Sequence, residues 1–547
     1  MEDKAVTAII DKINTVSEKT LDQATKKAAK KFLADTLAVG FSGYHEPVAA
    51  QLRQTTKQWG TSKQACLIGT QERQPSTSAA FCNAFQIHCQ EFDCLHEAAT
   101  VHAMAVLVGS LLAVADREKL TIEDALKAIV VGVDVAAGLG LAAKKGLTFF
   151  RPATAGAMGT AAAFGTFVKL DEVKLKNFMG LVYSQLAGTM QAHIEGSVAL
   201  PLQIGAAARS VITALDLSRE GIGGPHNIMT GTYGYFNLFE QDANCESFVT
   251  ELKTKSRVLE LSHKPFPTGR AAHAILDGIR SIMRENHLVV DDIKEIKAAV
   301  PPLIRRLVDR PIKNDMSASY ARLCIYYLSA LMMRDLRIDR NSFSPANLKD
   351  NSLQIISRKL VLIDNDLKDP NALSPQHIIL QTFNGQTFEL DIHATLGHPD
   401  NPLTYDDQIE KITNCLQTDT HDESKTYISK ATDLLDMKED KLLEEDLTVD
   451  ADERDLLYDI LEENNSEINL VRYTTSEIDS LFQEVNYNLK DVRDTKLVKP
   501  IDIGLLPNEI KNIANTKKRK DMFIKIVLPL IVKENNKIRV DRKRLFT

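Results

Sequence analysis

The chain has 547 residues and a net charge of −7, with 44% hydrophobic and 25% charged residues. This length and composition indicate a soluble globular protein of more than one domain, and the charge gives no reason to expect a nucleic-acid or membrane partner. The seven cysteines are scattered and odd in number, which favours reduced thiols in a cytoplasmic protein, and neither a secretory signal nor an uninterrupted membrane-spanning run is recognisable.

The first 265 residues are predicted to form an all-α domain. Apolar residues recur at helical spacing within residues 1–40, and residues 76–214 are rich in Ala and Gly. Small residues on long apolar helices let the helices approach closely, which is typical of a compact helical bundle. Residues 395–415 are predicted to return the chain to this domain and complete it.

A smaller α+β domain is predicted over residues 266–394. Its β-branched runs predict four strands, at 293–300, 360–363, 377–382 and 387–392. The last two runs flank an Asn-Gly pair, which is a strong hairpin signal. Helical patterns lie between the strands, at 271–285 and 319–333. The expected fold class is therefore mostly α, with a large helical domain and a smaller α+β lid domain.

The composition changes again after residue 415. Residues 416–510 are acidic with a helical pattern, which predicts a helical or partly disordered extension, and residues 511–547 form a basic segment. Residues 506–547 faintly resemble the region before the catalytic domain in Bax-type glucosaminidases. No hydrolase domain follows in this sequence, so we predict an appended segment without a catalytic role.

The most polar stretch of the helical domain is residues 83–104. It combines acids and imidazoles, namely His88, Glu91, Asp93, His96, Glu97 and His102. Apolar helical sequence lies on both sides, so these groups cannot all face water. On a helix Glu91 and Leu95 would share one face, and Asp93 and His96 its neighbour, with the next helix beginning after Thr100.

A carboxylate and an imidazole held together in such surroundings can carry a general acid and base. An isolated buried Asp–His pair is more often structural, so this stretch alone does not establish a catalytic site and the other motifs must decide. Its His and Cys residues also suggest a metal site, but their order fits no standard zinc spacing.

Two further stretches place cations in apolar surroundings. Arg151 lies at the start of a predicted helix, where it suits a carboxylate, although an arginine extending its charge to solvent is an equal alternative. Lys264, Arg270 and His273 are clustered in a Pro- and Gly-rich loop at the proposed domain boundary, where small-molecule sites usually lie. His193 lies in a polar turn and could reach the same cleft, but its signal is unspecific.

Taken in this order, the stretches resemble the MmgE/PrpD family, which includes 2-methylcitrate dehydratases, cis-aconitate decarboxylases and iminodisuccinate epimerases. The resemblance covers about residues 5–415. It rests on Glu91-Phe92-Asp93 with His96 and His102, which is similar to the family's Asp-Phe-Asp-Asp-Thr-His…His-Pro segment, on Lys264-x-Phe266-Pro267, and on Tyr320-Ala321-Arg322-Leu323.

The resemblance implies a cofactor-independent, homodimeric lyase or isomerase that acts on a small di- or tricarboxylate by proton abstraction next to a carboxylate. Dehydration of a 2-methylcitrate-like hydroxy acid is the first expectation, with epimerisation or decarboxylation of a related acid as alternatives. Asp93 and His102 would be the acid/base pair and Lys264 a second base or clamp. No metal is expected, and the substrate-binding residues would be Glu91, His96, Arg151, Arg270 and His273.

Several family residues are replaced in this chain. The family's first Asp is Glu91, its His-Pro-Thr begins with Arg151, and the lysine before Pro-Leu-His is Leu200. The second histidine of the lysine loop falls at Gly269, and Arg270 is added beside it. The ligand is therefore expected to be an acid, but not necessarily methylcitrate. A catalytically inactive member with a binding role is the competing hypothesis, and a metal-dependent hydrolase is a third.

Overall fold

The computed structural model describes residues 3–70, 72–416, 531–534 and 537–540. Within these residues there are nineteen α-helices and only small sheets, so the predicted mostly α fold class is confirmed. Residues 3–416 belong to one compact unit. The last described residues form an antiparallel pair of strands, Ile531–Glu534 with Lys537–Val540. The predicted acidic extension lies outside the described residues from residue 417 onward.

Helices build almost the whole N-terminal part of this unit. They are α1 (Lys4–Glu18), α2 (Gln23–Tyr44), α3 (Pro47–Lys57), α4 (Ser76–His88), α5 (Ala103–Glu118), α6 (Ile122–Ala142), α7 (Arg151–Phe164), α8 (Glu172–Tyr183), α9 (Gln191–Glu195), α10 (Ala199–Arg219), α11 (Tyr235–Leu238) and α12 (Cys245–Thr254). Two short strands, β1 (Ala65–Cys66) and β2 (Arg73–Gln74), pair antiparallel between α3 and α4. After the smaller α+β part, α19 (Tyr405–Leu416) returns and packs on α2.

Close helix approach is the reason for the many small residues in this part. Helix α4 packs against α2, α5 and α10. At the crossing of α4 and α5, a Cβ atom added to Gly109 would lie 2.7 Å from the Cβ of Ala84. At the crossing of α6 and α7, a Cβ atom added to Gly159 would lie 2.3 Å from the backbone oxygen of Gly132. Larger side chains at these positions would force the helices apart.

Helix α6 is long and apolar enough to cross a membrane by length and composition alone. In this protein, however, 83% of its most apolar window is buried inside the fold. It packs against α5, α7 and α12, which is the environment of a core helix.

The smaller part, residues 266–394, places six helices around one four-stranded sheet. The helices are α13 (His273–Glu285), α14 (Pro302–Val308), α15 (Ala318–Ala321), α16 (Ile325–Asp335), α17 (Pro345–Leu348) and α18 (Asn351–Ser357). The strands are β3 (Ile293–Val300), β4 (Leu360–Asp364), β5 (Gln376–Thr382) and β6 (Thr387–Ile392), in the order β4-β3-β5-β6. β3 runs parallel to β4 and antiparallel to β5, and β5 and β6 form the predicted hairpin.

Alternating burial explains how this sheet meets its helices. Ile296 of β3 lies opposite Leu380 of β5, and Ala298 lies opposite Ile378. All four side chains are fully buried, and α13 packs against β5 on this face. The predicted helix at 319–333 is divided into α15 and α16, because the backbone oxygen of Arg322 instead accepts a hydrogen bond from the loop before α13.

Candidate active site

Residues 89–102 form an irregular loop between α4 and α5, so the helical faces considered for Glu91 with Leu95 and for Asp93 with His96 do not occur. Glu91 and Thr100 have left-handed backbone angles, with φ of 53° and 49°, which interrupt a right-handed helix. Hydrogen bonds to a distant segment replace helical ones, since Leu95 and Ser262 exchange two backbone bonds of 3.1 and 2.8 Å. The predicted start of the next helix, after residue 100, agrees with the beginning of α5.

An aspartate between two imidazoles forms the centre of this loop. Nδ1 of His88 lies 3.1 Å from both carboxylate oxygens of Asp93, and Nδ1 of His102 lies 3.1 Å from Oδ2. His88 is the last residue of α4 and His102 directly precedes α5, so two helix ends hold the rings in place. An ionised carboxylate only accepts hydrogen bonds, so each Nδ1 carries the proton that it donates to Asp93.

The two imidazoles differ in their affinity for a second proton. Burial opposes ionisation of Asp93, but His102 and His88 outweigh it and hold the pKa of this carboxyl well below its usual value. Burial also lowers the pKa of His102, and the attraction of Asp93 does not fully offset it. For His88, Asp93 and Glu91 outweigh burial and raise the pKa. His102 is therefore the imidazole that stays neutral most readily.

A second ion pair lies next to the first. Nζ of Lys264 donates to the backbone oxygen of Glu91 at 2.9 Å and to its carboxylate at 3.2 Å, while Nε2 of His88 lies 3.5 Å from the same carboxylate. Burial opposes ionisation of Glu91, but Lys264 and His88 lower its pKa to about 2. Two carboxylates thus face Lys264 and a readily protonated His88, and His102 is the neutral member of this buried network.

A cavity lies against the network. It encloses about 600 Å³, counted out to its opening, and its walls come from both the helical part and residues 266–394. His88, Glu91 and His102 line it on one side. Asp93 and Lys264 are both fully buried and lie behind these lining residues. Most of the remaining wall is apolar, which is typical of small-molecule sites.

The two arginines predicted to bind the substrate are occupied by the protein's own groups. Arg151, only 1% exposed, forms two hydrogen bonds with the carboxylate of Glu240, at 2.6 and 2.9 Å, and one with the backbone oxygen of Ala99. Arg270 donates twice to Glu97, at 3.1 and 2.7 Å, and also to three backbone oxygens. Both arginines contribute to the cavity wall, but their hydrogen-bonding groups are directed into the fold.

Two predicted binding histidines, His96 and His273, are not among the residues that line the cavity. Nε2 of His96 is 2.8 Å from the carboxylate of Glu260, and this hydrogen bond, together with Arg257, lowers the pKa of Glu260 to about 2. His273 is fully buried with its Nε2 3.2 Å from the backbone oxygen of Thr268, and burial holds its pKa well below the usual value. Neither ring belongs to the described lining of the cavity.

Two lining histidines received no role from the sequence. His88 was noted only as part of the polar stretch, because a spacing of five residues from Asp93 matches no helical contact and the loop alone brings them together. His193, on α9, had only an unspecific signal, and it is 5% exposed in the cavity wall. Its position depends on the packing of α9 against residues far along the chain.

The cluster of His88, Asp93 and His102 is also one that could hold a metal ion, since its ligand atoms lie within 4.8 Å of one another. The hydrogen bonds of 3.1 Å between Asp93 and each ring explain the same arrangement. Lys264, which acts on both imidazoles as a positive charge, makes the cluster less favourable for a second cation.

Comparisons with known proteins cover most of the chain. The profile of the MmgE/PrpD N-terminal domain matches residues 7–247, and that of the MmgE/PrpD C-terminal domain matches residues 266–435. Cis-aconitate decarboxylase of Homo sapiens is 26% identical over 404 residues, which are 70% of this chain and 82% of that protein. Cis-aconitate decarboxylase of Mus musculus is 25% identical over 438 residues, or 75% of this chain and 87% of that protein.

Proposed function

Because the chain belongs to the MmgE/PrpD family, we propose that it is a cofactor-independent lyase of small di- or tricarboxylates, with decarboxylation of a cis-aconitate-like acid as its first candidate reaction. The two curated relatives are decarboxylases, which supports cleavage of a carbon–carbon bond over the dehydration that the sequence alone put first. One observation carries the proposal: an imidazole oriented by a buried carboxylate lines a cavity whose wall is otherwise mostly apolar.

His102 is the proposed catalytic base. Because Asp93 accepts the proton on Nδ1, the lone pair of His102 lies on Nε2, and the ring lines the cavity. Its lowered pKa keeps it neutral at neutral pH. It can therefore take the proton of the carboxyl that leaves as carbon dioxide, while a separate acid protonates the carbon left behind; in epimerisation or dehydration it would take the proton next to a carboxylate. Asp93 touches both rings and is buried behind them, so its role is to position the base and to stabilise the imidazolium that forms.

His88 is the proposed proton donor. Loss of carbon dioxide leaves an electron pair on carbon, which an acid must protonate, and the raised pKa of His88 favours its protonated form. His88 belongs to the lining of the same cavity, and its ring centroid lies 4.9 Å from that of His102. Its Nε2 is buried beside Glu91 without a hydrogen-bond partner, so we expect a substrate atom to take the place of this contact when the proton is transferred. Lys264 and Glu91 keep this donor in place, which gives Lys264 an electrostatic role through Glu91 rather than direct contact.

The test is incubation of the purified full-length protein with cis-aconitate, citrate, 2-methylcitrate and amino-dicarboxylates in deuterated water. Carbon dioxide release and deuterium incorporation are followed by mass spectrometry. We expect carbon dioxide from cis-aconitate or a close analogue. Water loss from a hydroxy acid would identify a dehydratase instead, and deuterium exchange alone an epimerase. No reaction and no exchange with any acid would contradict the proposal.

The matched control is a second His–Asp pair. His377 lies on the exposed hairpin with Nδ1 2.7 Å from Asp391. We expect His102→Gln to lose about 10²-fold or more of turnover, which is the lower end of a general-base contribution. His377→Gln should react as the parent does, so a general effect of removing an imidazole can be separated from loss of the base.

A further inference from the structure

His193 is a cavity residue outside the acid–base network. It lies on the short helix α9 in the wall of the same cavity, and the residue is 5% exposed. None of the family motifs in this sequence includes it.

Arg310 fixes the orientation of this ring from behind. Its Nη2 lies 3.0 Å from the backbone oxygen of His193 and 3.4 Å from Nδ1 of the imidazole. The guanidinium also donates to the backbone oxygen of Leu307 and lies over the ring of Tyr320, with 5.2 Å between the guanidinium carbon and the ring centroid. Arg310 is 8% exposed, so these contacts hold it within the fold.

The chemistry of the guanidinium decides the tautomer of the imidazole. Nη2 of Arg310 has two hydrogens, which the backbone oxygens of His193 and Leu307 accept at 3.0 and 3.1 Å, so its contact of 3.4 Å with Nδ1 is a shared, weaker one. Because arginine has no acceptor and carries a positive charge, a proton on Nδ1 would face another N–H group, and the unprotonated Nδ1 is favoured. The proton of the neutral ring is then on Nε2. Burial and the positive charge of Arg310 lower the pKa of His193 to about 4, so the ring stays neutral at pH 7. The cavity therefore contains a neutral N–H donor in a fixed orientation.

A carboxylate ligand needs donors that the protein does not already use. Arg151 and Arg270 donate to Glu240, Glu97 and backbone oxygens, and Lys264 donates to Glu91. Among the described residues, Nη1 of Arg310 is instead a buried donor without a partner. Nε2 of His193, which has no hydrogen-bond partner among the described residues, thus offers a donor in the cavity wall beside the positive charge of Arg310.

We infer that His193, held as its Nε2–H tautomer by Arg310, binds a non-reacting carboxylate of the substrate and so helps to select an acid with more than one carboxylate. In this assignment His193 touches the substrate and Arg310 is a positioning residue. The substrate part of the inference rests on the proposed function, whereas the tautomer rests on the contacts of Arg310 alone.

The tautomer can be measured without turnover. Long-range ¹H–¹⁵N spectra of the full-length protein with ¹⁵N-labelled histidine distinguish Nδ1–H, Nε2–H and imidazolium rings, and the signals lost in His193→Gln identify this residue. We expect the Nε2–H tautomer at pH 7 in the parent, and a mixture of tautomers in Arg310→Met, which removes the donor. An Nδ1–H ring or an imidazolium in the parent would overturn the inference whatever the enzyme's reaction is.

The substrate role is measured by calorimetric titration with cis-aconitate. His193→Phe keeps a ring but removes the donor, and we expect binding to weaken about tenfold or more, the effect of losing one hydrogen bond to a charged group. His193→Gln retains an N–H donor and should recover much of that loss. The control is His226→Phe, since His226 is exposed and bonds Asn177 far along the chain from the loop of the site.

Failure of the proposed function and failure of the carboxylate-binding role of His193 give different results. If the parent binds neither cis-aconitate nor citrate, the proposed function fails and the carboxylate role with it, although the spectra still decide the tautomer. If the parent binds cis-aconitate and His193→Phe binds it equally well, the proposed function survives and the role of His193 is overturned. A kinetic comparison adds a third readout, because His193→Phe should raise KM more than it lowers kcat.

Discussion

Substitution of Asp93 by Asn is the sharpest test of the proposed base. The change keeps the shape of the side chain but replaces one acceptor oxygen by an NH₂ group, which only donates. That group would favour an unprotonated Nδ1 on the ring it faces. For His102 the proton would then move to Nε2, where the proposed mechanism needs the lone pair. The imidazole would remain in the cavity wall in the wrong tautomer.

The expected loss follows from this geometry. A correctly placed general base contributes about 10²–10⁴ to the rate, and the wrong tautomer removes most of that contribution. The loss of stability should be smaller, about 1–2 kcal/mol, because the shape and one hydrogen bond are retained. His88 can release its second proton when Asp93 no longer attracts it, so no buried charge is left without a partner.

The measurements are kcat for carbon dioxide release and the free energy of unfolding in urea. Asp134→Asn is the matched control, because Asp134 is equally buried in the helical part but pairs with Lys12, at 2.7 Å, and lines a different pocket. It should retain turnover per folded molecule. Turnover of Asp93→Asn within about threefold of the parent would refute the positioning role, since the proposed effect starts at 10²-fold.

Three further predictions concern the groups around the base. Arg270→Met should cost about 3 kcal/mol of unfolding free energy, because Glu97 and three backbone oxygens lose the donors of a buried arginine. A stable but inactive variant would instead indicate that Arg270 binds substrate. Lys411→Met should cost a similar amount in urea unfolding, since Asp35 loses its ion pair of 2.6 Å, and an unchanged midpoint would contradict this. On the acid side, kcat/KM should fall with an apparent pKa below 6.5, because His102 must be neutral and burial lowers its pKa. An apparent pKa above 6.5 would indicate that another group controls this fall.

Local sequence signals were sufficient for most of the fold. The strand predicted at 387–392 is β6 as observed, and the Asn-Gly pair forms the turn of its hairpin. Periodicity within residues 1–40 likewise agrees with α1 and α2, because burying one apolar face decides whether a helix persists. The stretch 89–102 was different, since hydrogen bonds to residues far along the chain replace helical ones there. Helical spacing carries no information about such bonds.

The residue types of the site were predictable from the sequence. Which of their hydrogen-bond donors are already used by other residues of the protein was not. The partner of Arg151 is Glu240, 89 residues away, and the partner of Arg270 is Glu97, 173 residues away. Nothing near either arginine in the sequence shows that its donors are already used. For the same reason His193 had only an unspecific signal, since its tautomer depends on Arg310, 117 residues further on. The homodimer and the cytoplasmic location stay predictions.

The role of the C-terminal segment can be tested by truncation. The C-terminal family profile extends to residue 435, beyond the boundary at 415 predicted from the sequence. The last described residue that lines the cavity is Leu373. Helix α19 is needed for a different reason, because Nζ of Lys411 donates to the backbone oxygen of Phe92 at 3.1 Å and pairs with Asp35. It thus ties the end of the described unit to the loop that carries Asp93.

We therefore expect a chain ending at residue 435 to fold and to turn over substrate as the full-length protein does. A chain ending at residue 404 lacks α19 and should lose stability, because the buried carboxylate of Asp35 would have no cation and the loop no anchor at Phe92. Thermal unfolding and carbon dioxide release of the three chains give the answer. If the chain ending at residue 435 kept its unfolding transition but lost turnover, residues 436–547 would contribute to the site, and the prediction that they have no catalytic role would be wrong.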